Sequence, residues 1–141
     1  EGLFDFLKGE VDLNSVLNYI HQYSITLLPI GEIPPNPFVF LESEKMRKLI
    51  EDLKKEYDYL IIDGVPVLLF ADACYLSKYA DGTLIVVRYG KTNYKELEST
   101  KDILLSLRSE IIGVVLNAVP KKPGSYYYYY KYYDKYYRRV R

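Results

Sequence analysis

The stretch YDYLIIDG, residues 57–64, decides the fold class of this chain. Its apolar residues Leu60, Ile61 and Ile62 follow one another without polar residues between them. Such a run predicts a strand that is buried on both faces, as in a parallel sheet. Asp63 would then stand at the carboxyl end of that strand, where open α/β sheets hold their ligands.

Two later stretches repeat this pattern. GTLIVVRYG at 82–90 and IIGVVLNAV at 111–119 also read as buried strands. Three other segments have apolar residues at helical spacing and are predicted to be helices. They precede or separate the predicted strands and are EKMRKLIEDLKKEY at 44–57, ADACYLSKYA at 71–80 and YKELESTKDILLSLRS at 94–109. This alternation implies right-handed crossovers and an α/β fold, with an open parallel sheet and helices on both faces.

The first part of the chain has weaker patterns. They predict two short helices at about 2–8 and 12–20, a β-prone run SITLLPI at 24–30 and a loop in the proline-rich GEIPPNP at 31–37. Ser43 is predicted to cap the helix that follows, and Asp72 to cap the helix after YLIID. One apolar stripe is expected on the helix at 44–57, formed by Met46, Leu49, Ile50 and Leu53.

Composition excludes several classes of protein. A length of 141 residues allows one domain with a core, and no apolar run approaches the roughly 18 residues that cross a bilayer. No secretory signal pattern opens the chain. The single cysteine, Cys74, excludes an internal disulfide, and the single histidine, His21, argues against a histidine-based zinc site or a Ser-His-Asp triad.

The chain ends in GSYYYYYKYYDKYYRRVR, residues 124–141, in which nine of the twelve residues 126–137 are tyrosine. Residues 119–141 hold seven Lys/Arg and one acid, a net charge of +6, while residues 1–118 hold twelve Lys/Arg and eighteen Asp/Glu, a net charge of −6. Five adjacent tyrosines cannot all face a core, because neighbours in a strand alternate faces. The sequence therefore predicts an exposed basic tail on an acidic body.

The predicted strand ends carry three polar residues. Asp63 completes the apolar-run-plus-aspartate form of a Walker B segment, which holds Mg²⁺ beside nucleotide phosphates; the alternative is an aspartate that accepts loop N–H groups. Asn117 can present a donor and an acceptor to a base edge, or it can simply tolerate a turn before Pro120. Arg88 lies at the end of the remaining predicted strand, in the run at 82–90.

The stretch RYGKT, residues 88–92, superficially resembles a phosphate-binding P-loop. A Walker A motif needs a glycine five residues before Gly90, but Ile85 stands there, within a predicted strand. Arg88 and Lys91 could still face a phosphate, although a solvated turn is the favoured interpretation. No GxxxxGK[ST] motif occurs in the 141 residues.

Taken together, GLFDFLKGEVDL, LLPIGEIPPNP, EYDYLIIDGVPVLLFADA, DGTLIVVRYGKT, IIGVVLNAV and the tyrosine tail resemble the bacterial tyrosine kinases (BY-kinases) of capsule and exopolysaccharide synthesis. The resemblance implies a P-loop NTPase fold of the MinD/ParA type. One departure concerns the loop after the Walker B strand. The family usually has Asp-Thr/Ser-Pro-Pro there, whereas this chain has Asp63-Gly64-Val65-Pro66, which changes the rigidity of the loop.

The resemblance also assigns roles to residues. Asp63 matches the catalytic Walker B aspartate that supports Mg²⁺, and Asn117 matches the position that contacts adenine. ATP and Mg²⁺ are the implied cofactors. The phosphoacceptor cluster, modified in trans within a ring of subunits, corresponds to Tyr126, Tyr127, Tyr128, Tyr129, Tyr130, Tyr132, Tyr133, Tyr136 and Tyr137.

The family's Walker A and A′ segments would precede Glu1. The expectation is therefore an incomplete kinase domain, with residues 1–119 as its C-terminal portion and residues 120–141 as a phosphoacceptor tail. Such a portion is expected to be inactive alone. In relatives the P-loop strand lies beside the Walker B strand, so YLIID would otherwise expose a long apolar edge.

The implied function is ATP-dependent tyrosine autophosphorylation that regulates capsular or exopolysaccharide export. The implied partners are further copies in a ring, a membrane polysaccharide co-polymerase or activator domain and a cognate tyrosine phosphatase. The implied location is the cytoplasm, at the inner face of the membrane through a partner or an upstream transmembrane segment. Two alternatives remain, a non-catalytic phosphoacceptor fragment and a MinD/ParA-like ATPase piece. For the tail itself, the alternatives are a passive low-complexity segment and nucleic-acid binding, which is chemically possible, but no nucleic-acid partner is expected.

Overall fold

The computed structural model describes residues 1–120, so the predicted tail tyrosines at 126–137 lie outside the described residues. Helices and short strands make up the described part. In chain order they are α1 (Leu3–Lys8), α2 (Leu13–Val16), β1 (Asn18–Ile20), a 3-10 helix (His21–Tyr23), β2 (Ile25–Leu27), α3 (Phe38–Leu41), α4 (Glu44–Glu56), α5 (Asp72–Ser77), β3 (Thr83–Arg88), α6 (Tyr94–Ser106) and β4 (Ile111–Asn117).

The second half of the described chain contains a parallel strand pair. β3 pairs with β4 in a register that runs from Thr83 opposite Ile111 to Arg88 opposite Asn117, with an irregularity after Thr83. The crossover between the two strands is α6, whose Leu104 is only 1% exposed. This β-α-β unit confirms the predicted α/β class with parallel strands.

The main core lies around α4, whose predicted cap and stripe are both confirmed. The Ser43 hydroxyl accepts a hydrogen bond from the Met46 amide at 3.1 Å, which satisfies one of the amides left unpaired at a helix start. The four stripe residues are each no more than 5% exposed. They pack with three buried residues of α1 and α3, namely Phe4, Leu7 and Leu41.

The second predicted helix is wrong beyond its first turn. α2 ends at Val16, and Asn18–Ile20 instead pairs antiparallel with Ile25–Leu27. The β-prone run at 24–30 offers this segment a ladder of backbone hydrogen bonds, so tertiary pairing overrides the weak helical pattern. Ser24 lies in the connection between these two strands and adopts the left-handed conformation, with a φ of 52°.

The predicted cap of α5 is also wrong. Asp72 is the first residue of the helix, Ala71 occupies the cap position, and no side chain caps this end. The carboxylate still lies in the first turn, where a negative charge is favourable. α6, in contrast, begins with a full capping box, because Asn93 and Glu96 each accept a hydrogen bond from the other's amide at 2.9 Å.

The stretch YDYLIIDG at 57–64 does not form the strand that was predicted to be buried on both faces. Residues 59–63 carry no strand assignment, and Tyr59 and Ile61 are 87% and 89% exposed. A strand requires a hydrogen-bonding neighbour, and within residues 1–120 none pairs with this stretch. The double burial predicted for the other two runs is likewise incomplete, since Leu84 on β3 is 50% exposed and Val114 on β4 is also 50% exposed.

Candidate functional site at the strand ends

The parallel register brings two of the three predicted strand-end residues together. Arg88 closes β3 and Asn117 closes β4, and they are partners in the ladder. The Tyr89 amide extends the ladder by donating to the Asn117 carbonyl at 2.9 Å. The carboxyl ends of both strands therefore meet at one edge, as expected for a ligand-binding edge of an α/β sheet.

The RYGKT stretch forms an exposed turn, as expected. The amides of Lys91 and Thr92 donate to the Arg88 carbonyl at 3.1 and 3.0 Å, while the Arg88 amide donates to the Thr92 hydroxyl at 3.0 Å. Gly90 has a φ of 67°, which a glycine adopts without strain. Because these amides are engaged within the turn, it provides no cradle of N–H groups for a phosphate.

Asn117 lies at the end of β4, where the chain turns. Its side-chain carbonyl accepts a hydrogen bond from the Ala118 amide at 2.7 Å, and Ala118 has a φ of 56°. Asn117 therefore supports the turn after β4, which agrees with the interpretation of this residue as a turn former. Within residues 1–120 the side-chain NH₂ of Asn117 donates no hydrogen bond.

Asp63 is exposed and leads into a turn in which the Pro66 carbonyl accepts from the amides of Leu69 and Phe70, both at 3.1 Å. Within residues 1–120 its carboxylate makes no hydrogen bond or ion pair, so the loop-anchoring alternative is not observed there. No hydrogen bond joins Asp63 to Arg88 or Asn117 in that range. The described chain also has no group of three His, Cys, Asp or Glu residues placed to hold a metal.

Asp5 is a buried carboxylate, 6% exposed, that no sequence pattern predicted. It accepts hydrogen bonds from the Gly2 amide at 2.7 Å and from Lys8 at 3.2 Å. Partial burial raises the pKa of Asp5, but hydrogen bonds from the Gly2 backbone, from Lys8 and from the Glu32 backbone outweigh it, and the pKa lies below its ordinary value. The spacing of Gly2 and Asp5 lets the carboxylate accept from the Gly2 amide at the start of α1, but it carries no signal of the burial.

Asp5 joins α1 to the start of the proline-rich loop. The amides of Leu3 and Phe4 donate to the carbonyls of Pro29 and Ile30, at 2.8 and 3.0 Å. Gly31 approaches so closely that a Cβ there would lie 2.3 Å from the Asp5 carboxylate. The loop is thus held to α1 through backbone contacts and one buried acid.

Within residues 1–120, no helix has the length and apolar character needed to cross a membrane.

Comparisons with known proteins identify relatives of one kind, although no family model matches the chain. It is 30% identical over 126 residues to the tyrosine-protein kinase CpsD of Streptococcus agalactiae, covering 89% of this chain and 54% of CpsD. It is 32% identical over 128 residues to the tyrosine-protein kinase etk of Escherichia coli, covering 91% of this chain and 18% of that protein. The solved kinase domain of E. coli ETK matches with a TM-score of 0.82 and 31% identity, over 88% of this chain and 49% of that one.

These similarities define the class. The fold is that of the bacterial tyrosine-kinase domains, an α/β fold of P-loop NTPase type. The chain is a homologue of bacterial tyrosine-protein kinases, one of which is described as a putative tyrosine-protein kinase in the cps region of Klebsiella pneumoniae. It spans about half the length of CpsD and of the solved ETK domain.

Proposed function

We propose that this chain is a part of a bacterial tyrosine autokinase that acts in capsular or exopolysaccharide synthesis and export. The observation that carries the proposal is the joint match in sequence and fold to tyrosine kinases, over nearly nine tenths of the chain. In this proposal residues 1–119 contribute the Walker B side of the nucleotide site, and residues 120–141 contribute the phosphoacceptors.

Asp63 is the residue that we assign to Mg²⁺. Its carboxylate is exposed and has no protein partner in the described chain, and carboxylate oxygen is the ligand type that Mg²⁺ prefers. One protein carboxylate fits this ion, which usually keeps several waters and the substrate phosphates as its other ligands. When bound, Mg²⁺ would neutralise charge that develops on the β- and γ-phosphates.

The reaction that we infer is transfer of the γ-phosphoryl group of ATP to a tail phenol. The phenol oxygen forms a bond to the γ-phosphorus as the bond to the β,γ-bridging oxygen breaks, ADP leaves, and the phenol proton passes to solvent or a base. Asn117 would donate its NH₂ to the adenine, which orients the nucleotide at the edge where β3 and β4 end. The lysine of a Walker A motif would come from outside these 141 residues.

The tail supplies the nucleophiles and, we infer, a charge switch. Each phosphotyrosine adds about −1.5 to −2 charges at neutral pH, so roughly three or four would cancel the +6 of residues 119–141. An unmodified tail is attracted to the −6 body of its own or a neighbouring subunit, and a phosphorylated tail is repelled. Association of subunits in a ring would then weaken as phosphate accumulates.

The alternative function is a non-catalytic phosphoacceptor that an intact kinase modifies. The 141 residues contain no GxxxxGK[ST] motif, so in either function the phosphate-binding loop would be supplied from outside them. Further proposals follow from the class of the relatives. They are a polysaccharide co-polymerase or activator domain and a tyrosine phosphatase as partners, and a position at the inner face of the cell membrane.

Intact mass after incubation with Mg-ATP tests the proposed function. We expect no added phosphate on the chain alone, because it has no Walker A loop, and several phosphates after addition of purified, active CpsD. Phosphate gained by the chain alone would contradict the assignment of the phosphate-binding loop to another segment. No phosphate with an active helper would overturn the proposed function itself.

A further inference from the structure

Four exposed apolar side chains follow Asp63, the proposed metal ligand, in one short stretch. They are Val65, Leu68, Leu69 and Phe70, which are 40%, 42%, 74% and 52% exposed. Single exposed apolar residues are common on protein surfaces, but a group of adjacent ones is typical of a surface that binds another molecule. The phosphate transfer proposed above gives these side chains no role.

The four side chains lie on a loop whose two ends meet. A Cβ added to Gly64 would lie 3.6 Å from the Cβ of Ala73 on α5, so the chain leaves and returns at one place. Within the loop, the Pro66 carbonyl accepts hydrogen bonds from the amides of two of the exposed residues, both at 3.1 Å. Residues 64–73, here called the apolar loop, therefore form a compact surface loop of the kind that often carries function.

Contacts between helices hold the base of the apolar loop. The ring of Tyr75 on α5 packs against the ring of Phe38 on α3, with 5.5 Å between their centroids. The Tyr79 hydroxyl, just beyond α5, donates a hydrogen bond to the Leu41 carbonyl of α3 at 2.9 Å. Because α5 is held by these two contacts, the loop keeps its apolar side chains beside Asp63.

Carboxylates flank the apolar loop on both sides. Asp63 directly precedes it, and Asp72 lies in the first turn of α5. Within residues 1–120 neither carboxylate accepts a hydrogen bond or forms an ion pair. Since the two ends of the loop meet, both negative charges lie at its base. The loop therefore presents apolar contact area next to negative charge, which favours an occupant that is both apolar and basic.

The tyrosine tail has both of these properties. Nine of the twelve residues 126–137 are tyrosine, and residues 119–141 carry a net charge of +6. A tyrosine ring packs on apolar side chains while its hydroxyl stays at the polar end of the contact, which leaves the phenol oxygen free to react. The lysine and arginine side chains of the tail complement Asp72, which the proposed magnesium site does not use.

We propose that the apolar loop is the docking surface for the tyrosine tail of a neighbouring copy of this chain, and that it positions a tail phenol beside Asp63. Leu69 and Phe70 are the positioning residues that contact the ring, and Asp72 contacts a basic side chain of the tail. The inference rests on the proposed function and adds the surface that selects the phosphoacceptor. It also accounts for the repetition of tyrosine, because several adjacent rings can occupy one such surface in turn.

Photo-crosslinking in the full chain tests the docking. The probe p-benzoylphenylalanine replaces Leu69, an equal mixture of isotopically light and heavy chains is irradiated, and tandem mass spectrometry maps the crosslinked peptides. We expect crosslinks to residues 126–137 that join a light chain to a heavy one. The control places the same probe at Leu105 of α6, which is 53% exposed, and about fivefold fewer tail crosslinks are expected there. Equal crosslinking from both positions, crosslinks within single copies only, or crosslinks to the body of a second copy would overturn the proposal.

Binding of a tail peptide gives the size of the effect. A fluorescent peptide of residues 119–141 is titrated with the full chain, and Leu69→Ser and Phe70→Ser are each expected to weaken binding about fivefold, because each removes apolar contact area. Both side chains are more than half exposed, so folding should be unaffected. Leu105→Ser is the matched control and should bind as the wild type does. Equal affinities of all four proteins would contradict docking on the loop. If active CpsD phosphorylates the tail while the loop variants bind the peptide normally, the docking fails and the proposed function stands.

Discussion

Replacement of Asp63 by asparagine should lower phosphate transfer to the tail by about 10²–10³-fold, the usual loss when one electrostatic contact to the transition state is removed. The change keeps the size of an exposed side chain that makes no hydrogen bond or ion pair in the described chain. Folding should therefore be unaffected, and the loss should come from weaker Mg²⁺ binding beside the phosphates. The measurement is the initial rate of tail phosphorylation as a function of Mg²⁺ concentration, in a protein that joins the part of S. agalactiae CpsD upstream of the matched region to this chain by a flexible linker.

Asp58→Asn is the control for this substitution. Asp58 is also exposed and directly precedes residues 59–63, which end in Asp63, so its replacement removes the same charge from the same region. We expect less than a twofold change, because nothing in the proposal places this carboxylate at the metal. Equal losses in the two variants, or full activity of Asp63→Asn at limiting Mg²⁺, would contradict the Walker B assignment.

Gly31→Ala should destabilise the fold by about 2–4 kcal/mol, a sum of left-handed backbone strain and overpacking. Gly31 has a φ of 74°, and an added Cβ would lie 2.3 Å from the Asp5 carboxylate and 2.8 Å from the Gly2 amide nitrogen. The clash would separate the proline-rich loop from α1. Urea unfolding followed by circular dichroism would measure the loss as a lower midpoint at unchanged slope.

Gly90→Ala separates the two causes of that loss. Gly90 has a similar φ of 67°, but nothing lies within 4 Å of the position that a Cβ would take. This variant should therefore show the backbone strain alone, about 1 kcal/mol. If both glycine variants lose the same stability, the contact between Asp5 and Gly31 does not hold the loop.

Local signals in the sequence predicted much of the fold. The cap at Ser43 and the apolar stripe from Met46 to Leu53 were predictable, because a cap and a helical apolar face depend on residues close in the chain. The apolar runs at 82–90 and 111–119 likewise predicted the parallel pair of β3 and β4. The strand ends at Arg88 and Asn117 followed directly from that pairing.

Other features depend on partners that the local pattern does not contain. Residues 59–63 are as apolar as β3, but a strand exists only beside another strand, and the described chain supplies none for them. Asn18–Ile20 became a strand because Ile25–Leu27 pairs with it. Asp5 was missed because its burial depends on the approach of a loop some 25 residues later, which spacing near Gly2 does not reveal.

The most direct test of the central claim is the location of the phosphate that active CpsD adds to this chain. Two tyrosines outside the tail serve as an internal comparison. Tyr59 and Tyr94 are 87% and 76% exposed, so a kinase could reach both side chains. The account predicts that peptide mapping by tandem mass spectrometry finds phosphate in residues 126–137 and none on those two. Phosphate distributed over the exposed body tyrosines in proportion to their accessibility would contradict the assignment of the tail as the phosphoacceptor.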